Sequence, residues 1–265
     1  MSTPSDEATR PAGPYGVDVL AFGPHPDDVE LFVGGTLRTL VLRGRSVGVV
    51  DLTRGEKASR GTPEQRAEEA AAAAVILGLR FRENLGLPDT ALSAEPAAGQ
   101  LARVVEVLRR HRPELVLAPW HEDRHPDHVA ASLLVTRAVY YAGVRKVETD
   151  PPSSRHVPRQ LLYYALRHRM TPSFVVDTSL AAADKRRAIL CYGSQLGAQP
   201  GQDATLIGSP RAVEALEARD RYYGSMIGAE HGEPLRAAQV LGLVDPVAHF
   251  RDNPFSEAHA FEPLS

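Results

Sequence analysis

His25-Pro26-Asp27-Asp28 and His125-Pro126-Asp127-His128 repeat one tripeptide and finish it differently. A histidine and a carboxylate three residues apart can converge on one ion when they straddle the first turn of a helix, and His25 with Asp28 has that spacing. A third ligand must come from a separate strand end, and His128 is placed to supply it. Two histidines and one carboxylate leave a position open for water, the arrangement of a catalytic rather than a structural zinc. The same donor set also accepts iron(II). Asp27 and His125 are left beside the ligands, where an acid and a base would stand.

Other readings compete. A single His-Pro-Asp serves as a helix cap, but two copies, both at strand-to-helix junctions, ask for more. His25-Pro26-Asp27 with a later histidine also fits the facial triad of iron(II) oxygenases, in which Asp27 rather than Asp28 would bind metal. Those enzymes use double-sheet β-barrels, whereas this chain alternates strands with helices. A non-catalytic sugar-binding module would have no need of Asp27 and His125 beside the ligands.

The elements that must position these residues are legible in the hydrophobic pattern. VDVLAFG (17–23), SVGVVDLT (46–53) and ELVLAPW (114–120) read as buried strands. LFVGGTLRTLVLRG (31–44) reads as a helix ending near Gly44. Thr62-Pro63-Glu64-Gln65 offers an N-cap, a first-turn proline and a capping-box glutamine for a helix stopped by Gly78. LARVVEVLRRHR (101–112) and the run from Pro126 to Gly143 are further helices. LLYYAL (161–166) and FVVDTS (174–179) read as strands, and residues 184–192 and 212–225 as helices. Alternation of this kind predicts an α/β fold, a Rossmann-like three-layer sandwich with a mainly parallel sheet. Both His-Pro-Asp copies then sit at the carboxyl edge of the sheet, where such folds bind ligands. The Pro/Gly/Ser-rich loops 149–158 and 193–210 are candidate lids. Gly34-Gly35 lacks the rest of a phosphate-loop motif and predicts close helix packing near the metal.

A chain of 265 residues can bury a full core. We expect a flexible segment over 1–15, one catalytic domain over 16–245 and a tail over 246–265. With a formal charge of -3 and no basic stripe, nucleic acid is an unexpected partner. No run of eighteen apolar residues predicts a membrane span, and no apolar leader opens the chain, so a cytoplasmic protein is expected. Cys191 stands alone, which excludes an intramolecular disulfide and leaves any metal to histidine and carboxylate. His111, His156, His168, His249 and His259 have no partner pattern and are expected at the surface. Glu30, Trp120, His121, Glu122 and Asp123 lie near the motifs, as pocket lining or as caps and ion pairs.

GPHPDDVE followed by Gly34-Gly35-Thr36, then EDRHPDHVAAS, resembles the PIG-L/LmbE-like de-N-acetylase family. The resemblance extends through DLTRGE (51–56), TPEQRAEEA (62–70), CYGSQ (191–195) and EARDRYYGSMIGAE (217–230), over roughly residues 16–235. It is strongest to the bacillithiol-pathway branch. It implies an LmbE-like fold and hydrolysis of the N-acetyl group of N-acetylglucosaminyl malate, with an inositol-linked conjugate as the alternative. It further implies zinc on His25, Asp28 and His128, Asp27 as general base, and a protonated His125 oriented by Asp127 as oxyanion support. Arg66 would hold substrate, and Tyr192 or Tyr222 could meet the oxyanion. An aglycone with two carboxylates needs cationic partners, for which Arg54, Lys57, Arg60, Arg66 and Arg124 are available. A homo-oligomer is implied as well. Pro24, Phe32 and His231 depart from the family pattern, where a small residue, a small or aliphatic residue and a tyrosine are common.

Overall fold

The computed structural model describes residues 16–95, 99–197 and 207–252. The expected segment 1–15, the end of the expected tail and His259 lie outside the described residues. Strands β1 (Val17–Gly23) and β2 (Val47–Thr53) are buried along nearly their whole length, as their unbroken apolar runs require. With β3 (Phe81–Leu87), β4 (Pro113–Pro119), β5 (Gln160–Tyr164), β6 (Phe174–Asp177) and β7 (Gly232–Ala237) they form a seven-stranded sheet in the order β3-β2-β1-β4-β5-β7-β6. The first five strands in this order are parallel, and β7 runs antiparallel to both β5 and β6.

Successive residues of β1 divide between the two faces. Leu20 and Phe22 pack with α3 (Gln100–His111) and α4 (Pro126–Ala142), whereas Val19 and Ala21 pack under α1 (Asp28–Leu42). Each fully buried leucine or phenylalanine contributes roughly 1.5–3 kcal/mol of burial free energy, so this alternation sets the register of the strand. On the α1 face, α2 (Pro63–Leu77) and α5 (Ala182–Leu190) share a smaller cluster around Tyr192. Helix α6 (Ala212–Ser225) follows.

The capping box at Thr62 and the left-handed Gly78 delimit α2 as expected. Helix α1 begins at Asp28, earlier than the apolar pattern indicated, because Asp27 turns the chain with a φ of 115°. Two strands were not anticipated. β3 is a half-exposed edge strand with little apolar signal, and β7 carries Pro234. That proline is accommodated because β5 pairs only with Leu235–Ala237. Helix α7 (Pro246–Asp252) occupies the start of the expected tail. No described helix is long and apolar enough to cross a membrane.

Glu233 on β7, fully buried, explains the Gly34-Gly35-Thr36 run. Its carboxylate accepts from the amides of Gly35 at 2.9 Å and Thr36 at 2.6 Å and pairs with Lys185 at 2.6 Å. A Cβ on residue 35 would stand 2.9 Å from this carboxylate, so only glycine lets the helix approach. The close packing is therefore against β7 rather than beside the metal donors.

Loop 149–158 is not a lid. His156 donates its backbone amide to Ala142 and sets Nε2 2.7 Å from the carbonyl of Pro113, the first residue of β4. The loop thus docks at the amino edge of the sheet. His156, expected at the surface, is buried there.

Candidate metal centre and active site

β1 and β4 are neighbours, yet the chain leaves β1 toward β2 and returns to β4 on the other side. The strand order reverses between them, which opens a crevice at their carboxyl ends. Both His-Pro-Asp junctions empty into it. His25 follows β1, and Asp28 is the first residue of α1. His125 is the N-cap of α4, with Pro126 at the first helical position and His128 one turn in.

His25 Nδ1 lies 3.1 Å from Asp28 Oδ2, and His128 Nε2 lies 3.4 Å from the same oxygen. The three side chains are buried and their ligand atoms fall within 4.8 Å of one another. Each histidine sets its other nitrogen against carboxylate. His25 Nε2 is 3.2 Å from Asp89 Oδ1 and 3.4 Å from Asp127 Oδ2, and His128 Nδ1 is 3.1 Å from Asp123 Oδ1, an ion-pair distance rather than an aligned hydrogen bond. Carboxylates behind ligating imidazoles fix their tautomers and raise their basicity.

The electrostatics ask for a cation between these atoms. Burial disfavours charge on His128, but Asp28 and Asp123 overcome it and push its pKa up to about 9. Burial likewise opposes charge on His25, and Asp127, Asp28 and Asp89 raise it well above the usual value. Asp28, despite its burial, is held well below the carboxylate range by His128 and His25. A divalent cation satisfies the same field by displacing those protons, so the donor set fits a metal.

Asp27 Oδ2 accepts from Arg66 Nη2 at 3.1 Å. The facial-triad alternative fails here, since Asp28 is the carboxylate between the two histidines. Burial lifts the Asp27 pKa to about 7, with Arg66 opposing and Asp28 adding to the rise. Arg66 is itself buried, and the same nitrogen donates to the Pro26 carbonyl. A Cβ on residue 55 would meet Arg66 Nη1 at 2.0 Å, and Gly55 has a φ of +66° that suits glycine. Arg66 was expected to hold substrate; it grips the Pro26-Asp27 turn and also lines the cavity over the site.

His125 Nδ1 accepts from the backbone amide of Asp127 at 3.2 Å, which leaves Nε2 as the protonated nitrogen of a neutral ring. Burial lowers its pKa, and His128 and His25 lower it further. One expectation changes accordingly: the Asp127 backbone amide, not its carboxylate, is what meets the His125 ring. The Asp127 carboxylate instead accepts from Thr90 N at 2.7 Å and faces His25. The rings of His125 and His128 stack with centroids 4.6 Å apart, so His125 stands beside the candidate metal donors.

A cavity of about 260 Å³ opens over this cluster, and Lys57, Arg124, Arg167 and Gln195 line it with the site residues. Arg124 is where it was expected. Arg54 is exposed and lines a neighbouring cavity with Asp51 and Arg82, and Arg60 is buried with a bond to the Gly197 carbonyl. Neither tyrosine reaches the site. Tyr192 is buried against Ala70, Ala73 and Leu77, and Tyr222 is exposed on α6 against Tyr223. The described part of loop 193–210 does flank the cavity, through Gln195 and Ile207.

Asp89 and Arg167 were missed, and Asp123 was named without a role. Asp89 and Asp123 each follow the end of a strand, the signal that could have found them. For Asp89 that signal was weak because β3 was itself unrecognised.

A model of the family described as PIG-L: GlcNAc-PI de-N-acetylase matches residues 20–139, which contain both junctions. Diacetylchitobiose deacetylase of Thermococcus kodakarensis is 30% identical over 243 residues, covering 87% of this chain and 87% of its own. The probable N-acetyl-alpha-D-glucosaminyl L-malate deacetylase 2 of Bacillus cereus is 30% identical over 132 residues, 46% of this chain and 60% of its own. Among solved structures, the conserved protein TT1542 from Thermus thermophilus superposes with a TM-score of 0.78 at 42% identity, covering 86% of this chain and 98% of its own. With a relative this similar along most of both chains and a family match that takes in both His-Pro-Asp junctions, the chain belongs to the PIG-L family of GlcNAc-PI de-N-acetylases.

Proposed function

We propose that this protein is a zinc-dependent hydrolase that removes the N-acetyl group from an N-acetylglucosamine conjugate with an anionic aglycone, L-malate being the leading candidate. Iron(II) suits the same donors. The observation that carries the reading is a carboxylate raised to about 7, Asp27, lining one cavity with three convergent metal donors and His125. The cationic rim of Lys57, Arg124 and Arg167 favours an anionic aglycone over a neutral disaccharide or inositol.

His25 Nδ1, Asp28 and His128 Nε2 would hold the metal. A divalent cation at that point lowers the pKa of a bound water to about 7 and polarises the acetamide carbonyl. Asp27 takes the proton of the attacking water on its carboxylate and delivers it to the departing sugar nitrogen, so that acetate and free amine leave. Arg66 keeps the turn that aims Asp27. His125 donates Nε2–H to the developing oxyanion, and its fixed ring needs no reorganisation as the charge appears.

The test is release of primary amine by zinc-loaded protein from N-acetylglucosaminyl malate, the inositol-linked conjugate and diacetylchitobiose. The malate conjugate should react with the highest kcat/KM. No amine from any of the three, with zinc bound, would overturn the deacetylase reading.

A further inference from the structure

The cavity over the metal donors does not end at Arg167. Arg167 and Ile207 also line a second cavity, of about 330 Å³, whose apolar floor includes Phe32, Leu166 and Leu216. Its cations are Arg167, Arg211 and Arg219, and no acidic side chain lines it among the described residues. The guanidinium carbons of Arg167 and Arg219 stand 5.9 and 5.4 Å from the centroid of the Phe32 ring. Arg219 donates one bond to the Ala165 carbonyl at 2.7 Å, and its buried Nη1 has no hydrogen-bond partner among the described residues. The nearest acid to it, Asp220, is 3.6 Å away by Oδ1 and gives its other oxygen to Lys185 at 2.5 Å. Helix α6 begins at this rim, with Ala212 lining the cavity and no side chain capping the helix start.

Arg167 and Arg219 thus bring two positive charges to one cavity that no acidic side chain lines among the described residues, a field that favours an anion there. The ring face draws both cations, and their planar forks match a carboxylate. Phe32, which replaces the small or aliphatic residue common at this position, supplies that ring. We propose that this cavity is the subsite for the carboxylate-bearing aglycone, with Arg167 and Arg219 as its anion fork and Phe32 as its specificity-determining floor. The assignment rests on the deacetylase reading for the acetamide end of the substrate. A conjugate would then run from the metal donors past Arg167 to Phe32.

Calorimetric titration of zinc-loaded protein with L-malate tests the subsite apart from turnover. Arg167→Gln and Arg219→Lys should each weaken malate binding roughly ten-fold or more, since each removes a charged or bidentate contact. Arg219→Lys keeps the charge beside Asp220 and guards against loss of folding. Phe32→Leu should weaken binding several-fold, about the contribution of a cation–π floor. In turnover, the kcat/KM ratio of the malate conjugate to diacetylchitobiose should fall by a similar factor in the arginine variants. Undiminished malate binding in both arginine variants would overturn the proposal, as would a loss confined to Arg124→Gln. Arginine-dependent malate binding without amine release from any conjugate would sink the catalytic reading and leave the anion subsite standing.

Discussion

The β1–α1 and β4–α4 junctions carry the same His-Pro-Asp and enter their helices at different points. In the second, Pro126 is the first helical residue, so His125 caps α4 and His128 lies one turn in. In the first, Asp27 is the cap and adopts a φ of 115°, which leaves His25 and Pro26 outside the helix and makes Asp28 its first residue. Two residues of helix register therefore separate a relaxed cap from a strained one. A non-glycine residue at such a φ costs on the order of 1–3 kcal/mol and persists only where its surroundings hold it. Here the buried Arg66 does so, through both the Pro26 carbonyl and the Asp27 carboxylate. The strain sits on the residue proposed to move the proton, and the unstrained copy carries the proposed ligand His128 and the proposed donor His125.

The largest expected effect breaks this asymmetry at matched positions. Asp27→Asn should reduce amine release by about 10³-fold with zinc content unchanged. Asp127→Asn, at the same place in the repeat, should stay within roughly ten-fold at saturating zinc. Equal losses would show that the two copies do the same work. Next come the carboxylates behind the histidines. Asp123→Asn and Asp89→Asn should each weaken zinc binding about 10- to 100-fold, measured by equilibrium dialysis, and retained affinity in both would remove them from the metal centre. Arg66→Lys loses the forked grip on the first turn and should lower kcat about ten-fold while leaving KM within about two-fold. A change in KM instead would return Arg66 to substrate. The smallest effects are on stability, in urea denaturation of metal-free protein. Asp27→Gly should stabilise by about 1 kcal/mol, because glycine accepts the positive φ. Asp127→Gly, inside a helix, should destabilise by about 1–2 kcal/mol. The same sign in both would remove strain from the comparison.

Much of the frame could be read from the chain alone. β1, β2 and β4 are buried on both faces and so write themselves as unbroken apolar runs, and α2 carries its own start and stop signals at Thr62 and Gly78. β3 and β7 escaped because an edge strand and a strand interrupted by a proline need few apolar residues. The aromatic candidates failed for a related reason. Nothing local distinguishes Tyr192, packed under α2, from a tyrosine at the cavity.

Residue type and spacing by themselves pointed to the candidate donor set His25, Asp28 and His128, because all three lie at strand-to-helix junctions and a helix start has only a few geometries. What each remaining polar group does was decided in three dimensions. Asp89, Asp123 and Asp127 reach the two histidines from the ends of separate strands and from α4, Arg66 grips the Asp27 turn, and Arg167 and Arg219 each approach the Phe32 ring from distant segments. Such roles depend on which atoms the folded sheet and its helices bring within hydrogen-bond reach, and on how far burial shifts their charge. Neither quantity is local in sequence.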